Sequence, residues 1–288
     1  MKARTGRILK TFLKISISLV ALIFVFSKIE INTVLRVFKN SDIFLLILAL
    51  ISFILSKWIA AYRLNIFFAG IEVVITGIQN LRLYLLGMFY NLFLPGGIGG
   101  DGYKIYILHK RTEVRTGKIF WAVLTDRLSG VFALFSLAIL LGYFIELNTD
   151  FNYKYILWIA IPVGAIIFYL VIRKFASYLT AYLTKTSILS VFVQSLQLLS
   201  AFLIFRALGG VDSESEYLFI FLISSIVAMF PVSIGGVGLR ELTFLYGSRF
   251  LFLDEGLSVA MSLTFYLITV FTSFWGIYYS IRTEKVGI

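Results

Sequence analysis

Six continuous apolar stretches of about twenty residues dominate this chain, at roughly 8–28, 43–62, 118–145, 155–173, 187–208 and 256–281. A helix of ~20 residues crosses the ~30 Å hydrocarbon core of a bilayer. The runs do not alternate apolar with polar, so they read as helices and not as barrel strands. The rest of the chain agrees. It is 60% hydrophobic and only 14% charged, too little polar surface to cover a soluble core. The expected fold class is therefore an all-α polytopic membrane protein. The basic start, MKARTGRILKTFLK, leads into ISISLVALIFVF without a small-x-small cleavage site. It is read as a retained first span.

Two further apolar segments, about 81–95 and 217–231, each run into a proline and then a cluster of glycines. Either could be a short span or a re-entrant hairpin, and loop charge separates the two readings. Suppose both re-enter and the N-terminus is cytoplasmic. Segments 1–14, 63–82, 103–118, 173–185 and 282–288 then face the cytoplasm with 17 Lys/Arg and three acids. Segments 28–42, 146–154, 209–216 and 239–255 face outward with six Lys/Arg and ten acids. Cytoplasmic loops carry just such an excess of basic residues. The expectation is six full spans plus two re-entrant hairpins, eight hydrophobic segments in all.

The glycine clusters are copies of one another. Residues 95–102 read PGGIGGDG and residues 231–238 read PVSIGGVG, with five of eight positions identical. A basic residue, Lys104 or Arg240, stands two positions after each. In the topology above each half is two spans, a hairpin and a span, entered from opposite sides. That is an inverted-topology repeat, a plan that places transporter sites at the repeat interface. The chain reads as one transmembrane domain, 1–288, with inverted halves of approximately 1–150 and 151–288.

The residue types in the loops suit an anion. Glycine lets backbone approach a ligand closely, and proline breaks the incoming helix. A helix restarting after the glycines presents free N–H groups and its positive dipole end. The competing reading is tight helix packing through small residues. Candidate binding residues are Asn91, Pro95, Gly96, Gly97, Gly99, Gly100, Asp101 and Lys104 in the first copy. Those of the second are Pro231, Gly235, Gly236, Gly238, Arg240 and Glu241. Asp126 and Arg127 join them, because charge at helix depth costs at least ~2.5–3.5 kcal/mol and normally faces a cavity or partner. Their side chains diverge by about 100° on a helix, so each should find its own neighbour, with Asp101 and Lys104 as candidates. A structural salt bridge is the alternative. Asn91 suits capping freed backbone or touching substrate; Glu241 suits pairing with Arg240 or binding a proton. Snorkelling is the plain reading for Lys57 and Arg63 and the preferred one for Lys57; Arg206, near the outer end of its span, is read in the same way.

Other chemistry is excluded or disfavoured. Without cysteine there is no disulfide or thiolate metal site. A single His109, set among Lys110, Arg111 and Arg115, reads as a basic face on lipid head groups. The net charge of +11 is assigned to loops on anionic lipid rather than to nucleic acid. No cofactor or metal is expected.

Three segments together resemble the transmembrane, flippase-like domain of lysylphosphatidylglycerol synthases, which also occurs as stand-alone proteins. They are Asn91-Leu-Phe-Leu-Pro95-Gly-Gly-Ile-Gly-Gly-Asp101, Asp126-Arg-Leu-Ser-Gly130 and Pro231-Val-Ser-Ile-Gly-Gly-Val-Gly-Leu-Arg-Glu241. Asp126 stands where the family more often has Glu, and Val232-Ser233 where it often has Pro-Gly. The resemblance implies translocation of a lipid with a charged head group. With seven residues past the last span, no synthase domain is expected. The expected function is a flippase or transporter for a lipid with an anionic or phosphate-containing head group, with passive or ion-coupled transport and Asp101, Asp126 or Glu241 as candidate proton carriers. The alternatives are a secondary transporter of a small anion, or a membrane enzyme of polyprenyl-linked lipid metabolism. The expectation is that it is not an enzyme. Its partner would be a phospholipid or polyprenyl-phosphate lipid, and a homo-oligomer is compatible with the reading. The expected location is the bacterial inner (plasma) membrane, with both termini cytoplasmic.

Overall fold

The computed structural model describes residues 35, 38–93, 98–145, 154–229 and 236–281. The first expected span, 8–28, lies outside the described residues, as do Pro95, Gly96, Gly97, Pro231 and Gly235. The described residues form α1 (Ile43–Ala69), α2 (Gly77–Phe93), α3 (Gly99–Arg111), α4 (Thr116–Gly142) and α5 (Lys154–Phe175). After a 3₁₀ turn at Ser177–Tyr182 come α6 (Leu183–Ala207), α7 (Glu214–Val227), α8 (Leu239–Phe250) and α9 (Glu255–Ile281). No strand occurs among the described residues. This is an all-α polytopic membrane protein.

Five segments are long and apolar enough to cross a bilayer: Ile43–Ala69, Thr116–Gly142, Leu157–Phe175, Ser177–Ala207 and Glu255–Ser280. They match the five expected spans that fall on described residues. The two ambiguous apolar segments behave differently. α2 has 17 residues and α7 has 14, about 26 Å and 21 Å at 1.5 Å per residue. Each meets its glycine cluster and is followed by a return helix, of 13 residues in α3 and 12 in α8. α3, α7 and α8 fall short of the roughly 17–25 residues of a span, and α2 with 17 stands at its lower edge. α2 packs on α3, and α7 on α8, so each pair of helices forms a hairpin. The order span, hairpin, span therefore occurs twice.

Three boundaries differ from expectation. The segment 103–118 is not a loop, because α3 continues through Arg111 and buries Lys104 and Leu108. Likewise most of 239–255 is α8. Both shifts follow from the hairpin, whose return arm must itself be helical to satisfy its backbone within a bilayer. At the other boundary, α1 does not stop at residue 62. The apolar sequence resumes after Arg63 as LNIFFA, and the helix runs on to Ala69.

Small and hydroxylic residues bring the helices together. α1 and α6 lie side by side over most of their length. Ser52 donates to the Leu196 carbonyl (2.8 Å), and Ser200 donates back to Ala49 (2.9 Å). Interhelical bonds of this kind, with small residues between, are how helices associate when lipid is as apolar as leucine. Gly87 and Gly100 close the first hairpin, since a Cβ on Gly100 would overlap the Gly87 carbonyl. In the second, a Cβ on Gly247 would come within 2.9 Å of Ile220 Cγ1. α5 stands at the periphery, with only 6% of its span buried, and presents Trp158, Ile166 and Leu170 to lipid.

Two apolar clusters result. One gathers Phe205, Phe221, Phe244 and Phe265 around the second hairpin; the other gathers Leu83, Leu86, Leu108 and Ile119 around the first. α1 feeds both, giving Ala49 and Phe53 to the former and Leu64, Phe67 and Phe68 to the latter. The stretch of α1 between them, Lys57 to Arg63, borders a polar cavity.

Candidate functional site

The cavity has a volume of about 310 Å³ and is walled by both hairpins together with α1, α4, α6 and α9. Five basic side chains line it, Lys57, Arg63, Lys104, Arg127 and Arg240, against two carboxylates, Asp101 and Asp126. Charges at this depth persist only where they find partners, and the partners fall into three groups.

The first group is structural in character. Arg63 Nε donates to Asp126 Oδ1 at 2.7 Å, and both side chains are almost fully buried. Arg63 Nη1 also donates to Ser190 Oγ at 2.8 Å, and Ser190 donates to Ser129 Oγ at 3.0 Å. Gln194 reaches the Gly130 carbonyl from the next turn of α6. The network joins α1, α4 and α6 through charge-assisted bonds, which are shorter and stronger than neutral ones.

The second group belongs to the first hairpin. Asp101, in the first turn of α3, accepts from Lys104 Nζ at 3.1 Å and faces Arg127 Nη1 at 3.4 Å. Lys104 Nζ also lies 4.4 Å from the centre of the Tyr84 ring, an attraction between cation and aromatic face. Asn91 Oδ1 accepts from the Gly100 N–H at 2.8 Å. It thus ties the outgoing arm to an otherwise unsatisfied donor at the start of α3, while also lining the cavity.

The third group is a pair of cations. Lys57 Nζ sits 4.2 Å over the Phe53 ring, and the Arg240 guanidinium 5.0 Å over the Phe265 ring. Among the described residues neither has a carboxylate within 4 Å. The adjacent Glu241 is occupied elsewhere. Its Oε2 accepts from the Gly238 N–H at 2.7 Å and its Oε1 from Ser262 Oγ at 3.1 Å. Glu241 is 1% exposed and caps α8, which explains why it neither pairs at short range with Arg240 nor lines the cavity.

The expected site residues therefore separate. Asn91, Asp101, Lys104, Asp126, Arg127 and Arg240 converge on the cavity. Gly99, Gly100, Gly236, Gly238 and Glu241 shape the hairpins and do not line it. Gly236 and Gly238 have φ of +83° and +84°, a region that L side chains avoid, whereas Gly100 is needed for close packing. Asp126 and Arg127 do diverge to separate partners. Arg127 meets Asp101 as expected, but Asp126 goes to Arg63. Arg63 and Lys57 are not snorkelling, and both were missed as site residues. For Arg63 the signal was the apolar sequence resuming beyond it. On α6 it was the polar series Thr186, Ser190 and Gln194, spaced four apart on one helical face. Arg206 does lie at its helix end, paired with Glu214 at 2.8 Å.

The model of the family described as "Lysylphosphatidylglycerol synthase TM region" matches residues 11–186. The chain belongs to that family. The match takes in the first hairpin, Asp126 and most of the polar network, but stops short of the second hairpin. Two relatives of this family member extend the comparison. A "UPF0104 membrane protein" of Pyrococcus horikoshii is 21% identical over 322 aligned positions, covering 93% of this chain and 94% of its own. A second protein so described, from Methanocaldococcus jannaschii, is 30% identical over 176 positions, covering 58% of this chain and 51% of its own.

Proposed function

We propose that this protein moves a lipid with an anionic, phosphate-containing head group between the leaflets of the plasma membrane. The head group would occupy the cavity between the hairpins while the tails stay in lipid. One observation carries the reading: five cations against two carboxylates around a single cavity at membrane depth. Such an excess is costly unless an anion shares the space. A phosphate placed there lowers that cost and its own cost of crossing a medium of low dielectric. Membership of a family described by a phosphatidylglycerol derivative supports a lipid substrate. The two span–hairpin–span units support halves of opposite orientation, and loop charge supports cytoplasmic termini. Transport would be passive or ion-coupled, and the protein would not act as an enzyme.

Reconstitution tests this. In liposomes, the purified protein should speed leaflet exchange of a labelled anionic phospholipid over protein-free vesicles. Lys104→Ala or Arg240→Ala should slow it at least tenfold. Uptake of a small anion with no lipid exchange, across a panel of phospholipids, would sink the lipid reading in favour of an anion transporter.

A further inference from the structure

Lys57 and Arg240 differ from the other cations of the cavity. Arg63 has Asp126, and Lys104 and Arg127 share Asp101. Lys57 and Arg240 stand over aromatic rings with no carboxylate within 4 Å among the described residues. Those rings are in contact: Phe53 and Phe265 meet edge to face, 5.4 Å between centroids and 87° between planes. Phe53 is 1% exposed and Phe265 3%, so the two cations stand on one buried aromatic floor. They are also within electrostatic reach of each other, and Arg63 adds to the positive field at Lys57. Like charges repel most strongly where water is scarce. An aromatic face attracts a cation far more weakly than a carboxylate does. It positions a cation without neutralising it.

Resting on the lipid-transport reading, we propose that Lys57 and Arg240 form a clamp for a phosphomonoester, the terminal phosphate of a lipid carrying two negative charges. Its charge near neutral pH is about −1.5 to −2, because its second pKa is about 6. One dianion therefore balances both cations. A phosphodiester brings a single charge and leaves one cation uncompensated, and a zwitterionic head group brings an additional cation. Arg240 offers the planar fork that matches phosphate oxygens, and Lys57 a point charge opposite it. Phe53 and Phe265 are positioning residues that hold the clamp open. Nothing else among the described cavity residues provides two cations free of carboxylate.

The test uses the full chain in liposomes with three tail-labelled lipids: phosphatidic acid, phosphatidylglycerol and phosphatidylcholine. Leaflet exchange is read by chemical quenching of the outer label, and uptake of radiolabelled inorganic phosphate is measured in parallel. Exchange of phosphatidic acid should exceed that of phosphatidylglycerol at least tenfold at pH 7.5. The preference should shrink several-fold at pH 5, where the monoester carries one charge. Lys57→Met and Arg240→Gln should each abolish the preference. Lys57→Arg should keep it, as should Lys185→Met, which removes an exposed cation. Gel filtration checks that each variant is folded. Equal exchange of phosphatidic acid and phosphatidylglycerol overturns the clamp and leaves lipid transport standing. So does a preference that survives Lys57→Met. No lipid exchange, with phosphate uptake blocked by Lys57→Met, overturns lipid transport and assigns the clamp to free phosphate. Neither exchange nor uptake overturns both.

Discussion

The two hairpins share a bend sequence and the spacing to a following cation, yet they serve the cavity differently. In the first, Asp101 sits inside the repeated octapeptide and its carboxylate is shared by Lys104 and Arg127. In the second, Val237 takes that position, and the nearest acid, Glu241, is spent on the Gly238 N–H and Ser262. The first hairpin thus delivers a cation already compensated; the second delivers one that is not. The glycines differ as well. Gly100 is required because the Gly87 backbone lies against it, and Gly238 because its φ is +84°. The repeated sequence thus gives neither the same backbone nor the same chemistry: Gly236 and Gly238 have φ of +83° and +84° where the matching Gly100 and Gly102 lie inside α3, and one carboxylate moved by a few positions changes what the cation meets.

The largest effect should come from the carboxylate next to the first hairpin that has no counterpart beside the second. Asp126→Ala leaves Arg63 charged and buried without its partner, which costs about 3–5 kcal/mol. Thermal unfolding in detergent should show a large drop in Tm or no folded protein; an unchanged Tm would mean that the pair holds nothing together. Smaller is the loss from Gly100→Ala, where overpacking against Gly87 costs about 1–3 kcal/mol. Gly102→Ala, with no atom within 4 Å of the added Cβ, should match the parent in the same assay. Gly238→Ala puts a side chain on a backbone at φ +84° and ψ −48°, a sparsely populated conformation that costs about 1–3 kcal/mol. A Gly238→Ala loss larger than that of Gly100→Ala would reverse the proposed division of glycine roles. The finest comparison is between the acids. Glu241→Ala removes a cap worth about 0.5–2 kcal/mol and should lower Tm more than it changes transport per folded molecule. Asp101→Asn keeps an oxygen acceptor for Lys104 but removes the charge that Lys104 and Arg127 share, and should alter lipid exchange per folded molecule several-fold, more than Glu241→Ala does. If both acids move the same observable, the hairpins are functionally alike and the contrast fails.

Much of this was legible in the chain itself. The five described spans and the two helical hairpins follow from segment length, proline and glycine, which act locally; the repeat placed Lys104 and Arg240 behind matching motifs. Asp126 and Arg127 could be flagged because charge inside an apolar run always needs a reason. Their partners could not. Asp126 selects Arg63 across 63 positions of sequence, and nothing in either segment names the other. Lys57 looked like a snorkelling side chain because its run appeared to end five residues later. Glu241 looked available because only the folded loop shows that its carboxylate turns back onto Gly238.

Sequence alone therefore determined the solvent, the helices and the place of the bends, because the bilayer allows few ways to satisfy a backbone. Only tertiary structure decided which charges cancel. Pairing is set by which helix faces meet at a few ångströms, and that depends on small residues letting backbones approach. The arms of the two hairpins wall the cavity. The packing around them left Lys57 and Arg240 facing it without a carboxylate.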